Sequence, residues 1–152
     1  MVSAATDTRL FGASMRGGQV IPVQHVVSAS NAKTGAYLPA FPRLTEDWMS
    51  LTAPVVADVN GDGKPEVVIG NGDGHVHAFS QDGSELAGWP KYVGHWVQAS
   101  AAAGDINGDH KVDVTVATRS GFVFVFSTTG LPSGLDWPST RGNLANTGVF
   151  VP

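Results

Sequence analysis

The same acidic loop occurs twice, 47 residues apart, each time between two short apolar runs: DVNGDGKPE at 58–66 and DINGDHKVD at 105–113. An internal repeat fixes the unit of folding, because whatever one copy builds the other builds again. In each copy oxygen-bearing side chains stand at loop positions 1, 3, 5 and 9: Asp58, Asn60, Asp62 and Glu66, then Asp105, Asn107, Asp109 and Asp113. Position 7, Lys64 or Lys111, offers its backbone carbonyl. Alternate residues of a tightly turning backbone point inward. The resulting all-oxygen shell suits Ca²⁺ better than Mg²⁺, which demands a stricter octahedron and keeps more of its water.

Asn-Gly and Asp-Gly pairs are also turn formers that need no metal. Recurrence of the whole ligand set in one register weighs for the ion. Charge agrees: six of the 13 acidic residues sit at the ligand positions, so the two loops account for the net charge of −4, and two calcium ions would cancel it. Position 6 calls for a left-handed backbone, which Gly63 adopts freely and His110 only at a cost, so the second loop is expected to be the weaker site.

With 19 Gly, 9 Pro and 14% charged residues in 152, the composition points to short strands and many turns, not to helices or disorder. A hydrophobic share of 42% suffices for one domain with a core. No run approaches the roughly 20 apolar residues of a membrane span. The opening MVSAATDTRLFGASMRGG lacks the apolar centre of a signal peptide, which leaves a leader to be upstream or already removed. The absence of cysteine excludes disulfides, thiolate catalysis and Cys-based zinc sites. A pI near 5.6 without a basic cluster argues against a nucleic-acid partner. Calcium loops of moderate affinity suit the extracellular space, so the expected location is outside the cell.

The repeat extends beyond the loops. The first copy reads APVVA (53–57), loop, EVVIG (66–70), NGDG, HVHAFS (75–80), QDG and a GWP corner ending at Pro90. The second reads SAAAG (100–104), loop, DVTVAT (113–118), RSG, FVFVFS (122–127), TTG and a DWP corner ending at Pro138. Upstream, VVSAS, NAKTG and AYLPAFP form a partial copy without a calcium loop. Its Gly35, Phe41 and Pro42 precede Gly83, Trp89 and Pro90 by a common offset, one position longer than that of the loops. Trp48 and Trp96 share that offset. A period of about 45–50 residues with three or four short strands is that of a β-propeller blade. The expected fold is therefore all-β: about two full four-stranded antiparallel blades and a partial one, within a larger or oligomer-completed propeller.

ADVNGDGKPEVVIG and GDINGDHKVDVTVAT resemble FG-GAP repeats, also called VCBS-type repeats, of the integrin α propeller and many secreted bacterial proteins. The resemblance covers about residues 20–150 and implies Ca²⁺ binding at the eight side chains named above. His110 departs from the family's usual Gly. WPSTRGNLANTG resembles the segment that closes such bacterial propellers. The chain divides accordingly into a partial blade with its lead-in (1–52), two calcium-loop blades (53–98 and 99–138) and a C-terminal closing segment (139–152).

Propellers close with about four to eight blades. The remaining blades are expected on a parent chain or on further copies of this one, as a ring or a filament. No GxSxG elbow, HExxH helix, phosphate loop or cysteine nucleophile is present, so the expectation is a non-enzymatic scaffold or adhesion module. The alternatives are glycan recognition by Trp48, Trp89, Trp96 and Trp137, a filament subunit, or an accessory part of a secreted hydrolase or lyase. His75 and His77 share one strand face; Phe122 and Phe124 at the matching places favour packing over metal ligation.

Overall fold

Every residue of EVVIG is buried, which an isolated small sheet cannot achieve. A strand buried on all sides needs a neighbour on each face of its sheet, and that requirement organises the molecule. The structure, a computed structural model, describes residues 2–6, 15–16, 19–20, 25–31, 33–49 and 52–139. The strands are β1 (Val2–Thr6), β2 (Met15–Arg16), β3 (Gln19–Val20), β4 (His25–Ala29), β5 (Arg43–Thr45) and β6 (Val55–Ala57). They continue with β7 (Glu66–Gly70), β8 (His75–Phe79), β9 (Lys91–Tyr92), β10 (Ala102–Gly104), β11 (Asp113–Ala117) and β12 (Val123–Ser127). Three small antiparallel sheets have the orders β1-β4-β5, β6-β7-β8-β9 and β10-β11-β12, and β2-β3 is a separate hairpin. Among the described residues the only helical element is a 3-10 turn at Pro132–Gly134. The fold is all-β, built of propeller-type blades, with no closed barrel.

The middle blade, β6 to β9, is packed on both faces. On its leading face Val67, Ile69 and Phe79 cluster with Val27, Ala29, Phe41 and Met49 of the first blade. On its trailing face Val55, Ala57, Val68, Val76 and Ala78 cluster with Val112, Val114 and Val116 of the last. The period-2 alternation of the strands sends neighbouring residues to opposite clusters. On this face Gly70 has no room for a side chain: a Cβ there would collide with the Val97 side chain.

The partial copy is built like the full ones. Leu38 N–H donates to Ala29 O at 2.8 Å and Phe41 N–H to Leu38 O at 3.1 Å, matching Leu86 to Ala78 at 2.9 Å and Trp89 to Leu86 at 3.0 Å. Its rebuilt front is β1, paired with β4 from Val2↔Ala29 to Thr6↔His25; nothing in the repeat pattern pointed to that strand. Among the described residues the last blade has three strands, β10 to β12. After β12 the DWP corner runs along the inner edges of two blades. Val56 and Trp137 exchange backbone hydrogen bonds at 2.9 and 2.8 Å, and Ala103 N–H donates to Pro138 O at 2.8 Å. Inner-edge amides need acceptors, and the DWP corner supplies one to each of two equivalent strands, Val56 and Ala103 standing one repeat apart. Residues 140–152, most of the expected closing segment, lie outside the described residues.

Truncating Ile69, fully buried between two blades, to Ala is expected to cost about 2–5 kcal/mol. The control Ile106→Ala, on an exposed side chain, is expected to stay within about 0.5 kcal/mol. Chemical denaturation of the two variants checks the difference.

Candidate metal centre

Each acidic loop joins the innermost strand of a blade to the next strand, so the β6–β7 and β10–β11 pairings fix the ends of both loops. Within the first, Asp58 accepts from Gly61 N–H at 2.6 Å and Gly63 N–H at 3.0 Å. Asn60 accepts from Asp62 N–H at 2.8 Å, and Asp62 from Lys64 N–H at 2.8 Å. Glu66 reaches back to Val59 N–H at 2.9 Å. The second loop repeats the pattern: Asp105 accepts from Gly108 and His110 N–H at 2.7 and 2.9 Å, Asn107 from Asp109 at 2.8 Å, and Asp109 from Lys111 at 2.9 Å. Asp113 accepts from Ile106 N–H at 3.0 Å. Short polar side chains bonding two residues ahead fold the backbone into successive turns, and the two loops share one hydrogen-bond pattern. His110 takes φ +62°, close to the +79° of Gly63, so the departure from Gly leaves the loop geometry intact.

The loops differ in their surroundings. Asp58 is buried, whereas Asp105 is exposed. The reason is the 128–130 turn of the last blade, which covers the first loop: Thr129 Oγ1 donates to Asn60 O at 2.6 Å, and a Cβ on Gly130 would collide with the Asp58 carbonyl. Burial pushes the Glu66 carboxyl up to about 7, with Asp62 and Asp58 adding repulsion. The Ile106 N–H holds Asp113 below the usual carboxylate range. Asp113 is itself buried, and its Oδ1 has no hydrogen-bond partner. A buried carboxylate oxygen without a donor, in a loop of oxygen ligands, fits a hard cation.

The model of the FG-GAP-like repeat matches residues 58–116. It takes in the first loop, the rest of the middle blade, the second loop and most of β11. No curated protein and no solved structure gives a significant match. The middle blade also holds a second polar group, around the His75 and His77 pair. His77 is buried, with Nε2 3.0 Å from Glu46 Oε2 of the first blade and Nδ1 3.1 Å from Glu85 Oε2. Asn71 Nδ2 contacts His77 Nε2 and Glu46 at 3.3 Å each. Glu46, Asp73 and His75 also bring ligand atoms within 4.8 Å of one another, near enough to share one metal ion. His75 and His77 do share a strand face, turned toward the first blade. The signal for this group was the pair of histidines where the next repeat has Phe122 and Phe124.

Trp48 and Trp96 stack at 5.8 Å, and Arg119 lies 5.2 Å from the Trp96 ring on the last blade. Trp96 thus joins elements of neighbouring blades. Trp89 packs edge-on to Phe126 at 6.0 Å and lines a hollow of about 360 Å³ with Asn60, Leu86, Lys91 and Thr129.

Burial lowers the affinity of His77 for a proton, but Glu85 and Glu46 outweigh it and the imidazole pKa is raised. A raised folded-state value means the stabilisation is complete below the usual 6.5 and is lost as pH rises through the folded value. The thermal midpoint is expected to fall across that window, and His77→Phe to remove this component. Parallel melts from pH 6 to 9 check it; profiles of identical shape would refute the ion-pair account.

Proposed function

We propose that this chain is a calcium-binding, non-enzymatic, extracellular scaffold module that mediates protein interaction or assembly. Supporting it most directly is the matching hydrogen-bond pattern of the two acidic loops, which holds Asp58, Asn60, Asp62 and Glu66 in the arrangement of Asp105, Asn107, Asp109 and Asp113. The ion would take those side chains with the carbonyls of Lys64 and Lys111, tie the innermost strand to the next, and neutralise three carboxylates per loop. The first loop, roofed by the 128–130 turn, would bind more tightly than the exposed second. Among the described residues no helix is long and apolar enough to cross a membrane, and extracellular calcium would keep such sites filled.

Calcium that binds only the folded chain at a hundredfold excess over Kd adds about 2.7 kcal/mol per site, or about 5–10 °C in Tm for a chain of this size. A chelator should reverse the gain. By titration calorimetry, Asp58→Ala should lose the tighter site and Asp105→Ala the weaker one. No heat from the wild type, together with a Tm indifferent to chelator, would overturn the proposal.

A further inference from the structure

Both contacts between neighbouring blades follow one rule. The trailing sheet face of one blade receives the leading face of the next, and the glycine turn of the next blade seats on the blade before it. Gly83 of the middle blade abuts Ala40, and Gly130 of the last abuts the Asp58 carbonyl. Thr129 in the same turn donates to Asn60 O at 2.6 Å. The rule leaves one half of each contact unfilled at either end of the described structure.

At the trailing end, Val123 and Val125 are 65% and 49% exposed, while Val76 and Ala78, their counterparts one repeat earlier, are at 0%. Ala102, paired with Thr115 on the same face, is exposed, while its counterpart Val55 is fully buried. Among the described residues no turn is placed over the second acidic loop as Thr129 and Gly130 are over the first. At the leading end stands a turn of that kind. Gly35, the counterpart of Gly83 in the first blade, has left-handed φ and nothing within 4 Å of where its Cβ would point. Thr34 occupies the place in this turn that Thr129 occupies in the last blade, and Lys33 beside it is exposed. On the leading face Val26 pairs across strands with Leu44, which is 65% exposed.

We propose that the trailing face of the last blade binds the leading face of the first blade of a second copy of this chain. Val123 and Val125 would pack toward Val26, and the partner's Gly35 turn would cover the second acidic loop. There Thr34 would reach the Asn107 carbonyl and Lys33 would approach Asp105 and Asp109. The contact is head-to-tail, so the same two surfaces serve every copy and further copies can add. This inference rests on the scaffold reading for its biological sense, but its test reads mass, not calcium.

The experiment is sedimentation velocity of the full chain in millimolar calcium. The wild type should sediment as concentration-dependent species above the 15.8 kDa monomer. Val125→Glu, which blocks the trailing face, and Val26→Glu with Lys33→Glu, which blocks the leading one, should each be monomeric. Mixed one to one, they should give a dimer that grows no further, because each retains one working surface. Circular dichroism and calcium titration of each variant establish that it folds. As a second measurement in a chain without cysteine, Val125→Cys and Val26→Cys proteins should cross-link to each other more than to themselves. A monomeric wild type, a mixture that stays monomeric, or predominant Val125→Cys self-linkage would overturn the proposal. Failure of the calcium reading would instead show as silent titrations with the masses unchanged.

Discussion

Everything in this molecule depends on a small antiparallel sheet being unable to bury both of its faces by itself. Val67 and Ile69 on one side of the middle blade, and Val68 and Ala78 on the other, are removed from water only because a blade lies against each face. Strand alternation divides the residues between the two clusters, so one five-residue strand serves two cores at once. The stabilisation is hydrophobic and therefore tolerant of detail. Position is supplied by polar devices at the rims: the acidic loops, the glycine turns, the Trp48–Trp96 stack and the His77 ion pairs.

Those devices act across blade boundaries as well as within blades. The first acidic loop belongs to the middle blade, yet its Asn60 carbonyl is held by Thr129 of the last. His77 belongs to the middle blade, yet one of its carboxylates, Glu46, comes from the segment after β5. A charge placed in the first loop, or a proton on His77, is therefore felt at a junction between sheets. The buried carboxylates explain why a cation would matter structurally: Glu66 is desolvated beside two other acids, and its protonation or a bound ion relieves the same repulsion.

Much of this was legible in the residues because repetition exposes it. The spacing of the two acidic loops and of Gly35 with Gly83 set the blade frame, and EVVIG became β7 with the bounds read from the sequence. The loop turns were readable because Asp, Asn and Gly at fixed positions leave the backbone few ways to turn. Features without a repeated partner were opaque. β1 carries no copy of itself downstream, and its pairing with β4 is a long-range contact that local pattern does not encode. The His77 group was visible only as a mismatch with Phe124, since Glu46 and Glu85 reach it from distant sequence. The hydrogen bonds of the DWP corner to Val56 and Ala103 were equally opaque, because they join distant sequence. The Trp48–Trp96 stack and the Arg119 contact were not legible either, since they join residues far apart in sequence.

The offset between equivalent faces has a further consequence for how such a chain can change length. Inserting or deleting one whole blade leaves a leading face at the front and a trailing face at the back, the same two kinds of surface that meet at each internal junction. An insertion of any other length between strands displaces a glycine turn from the carbonyl it covers and breaks the series at that point. The architecture therefore grows in quanta, and the unit of its inheritance is the blade.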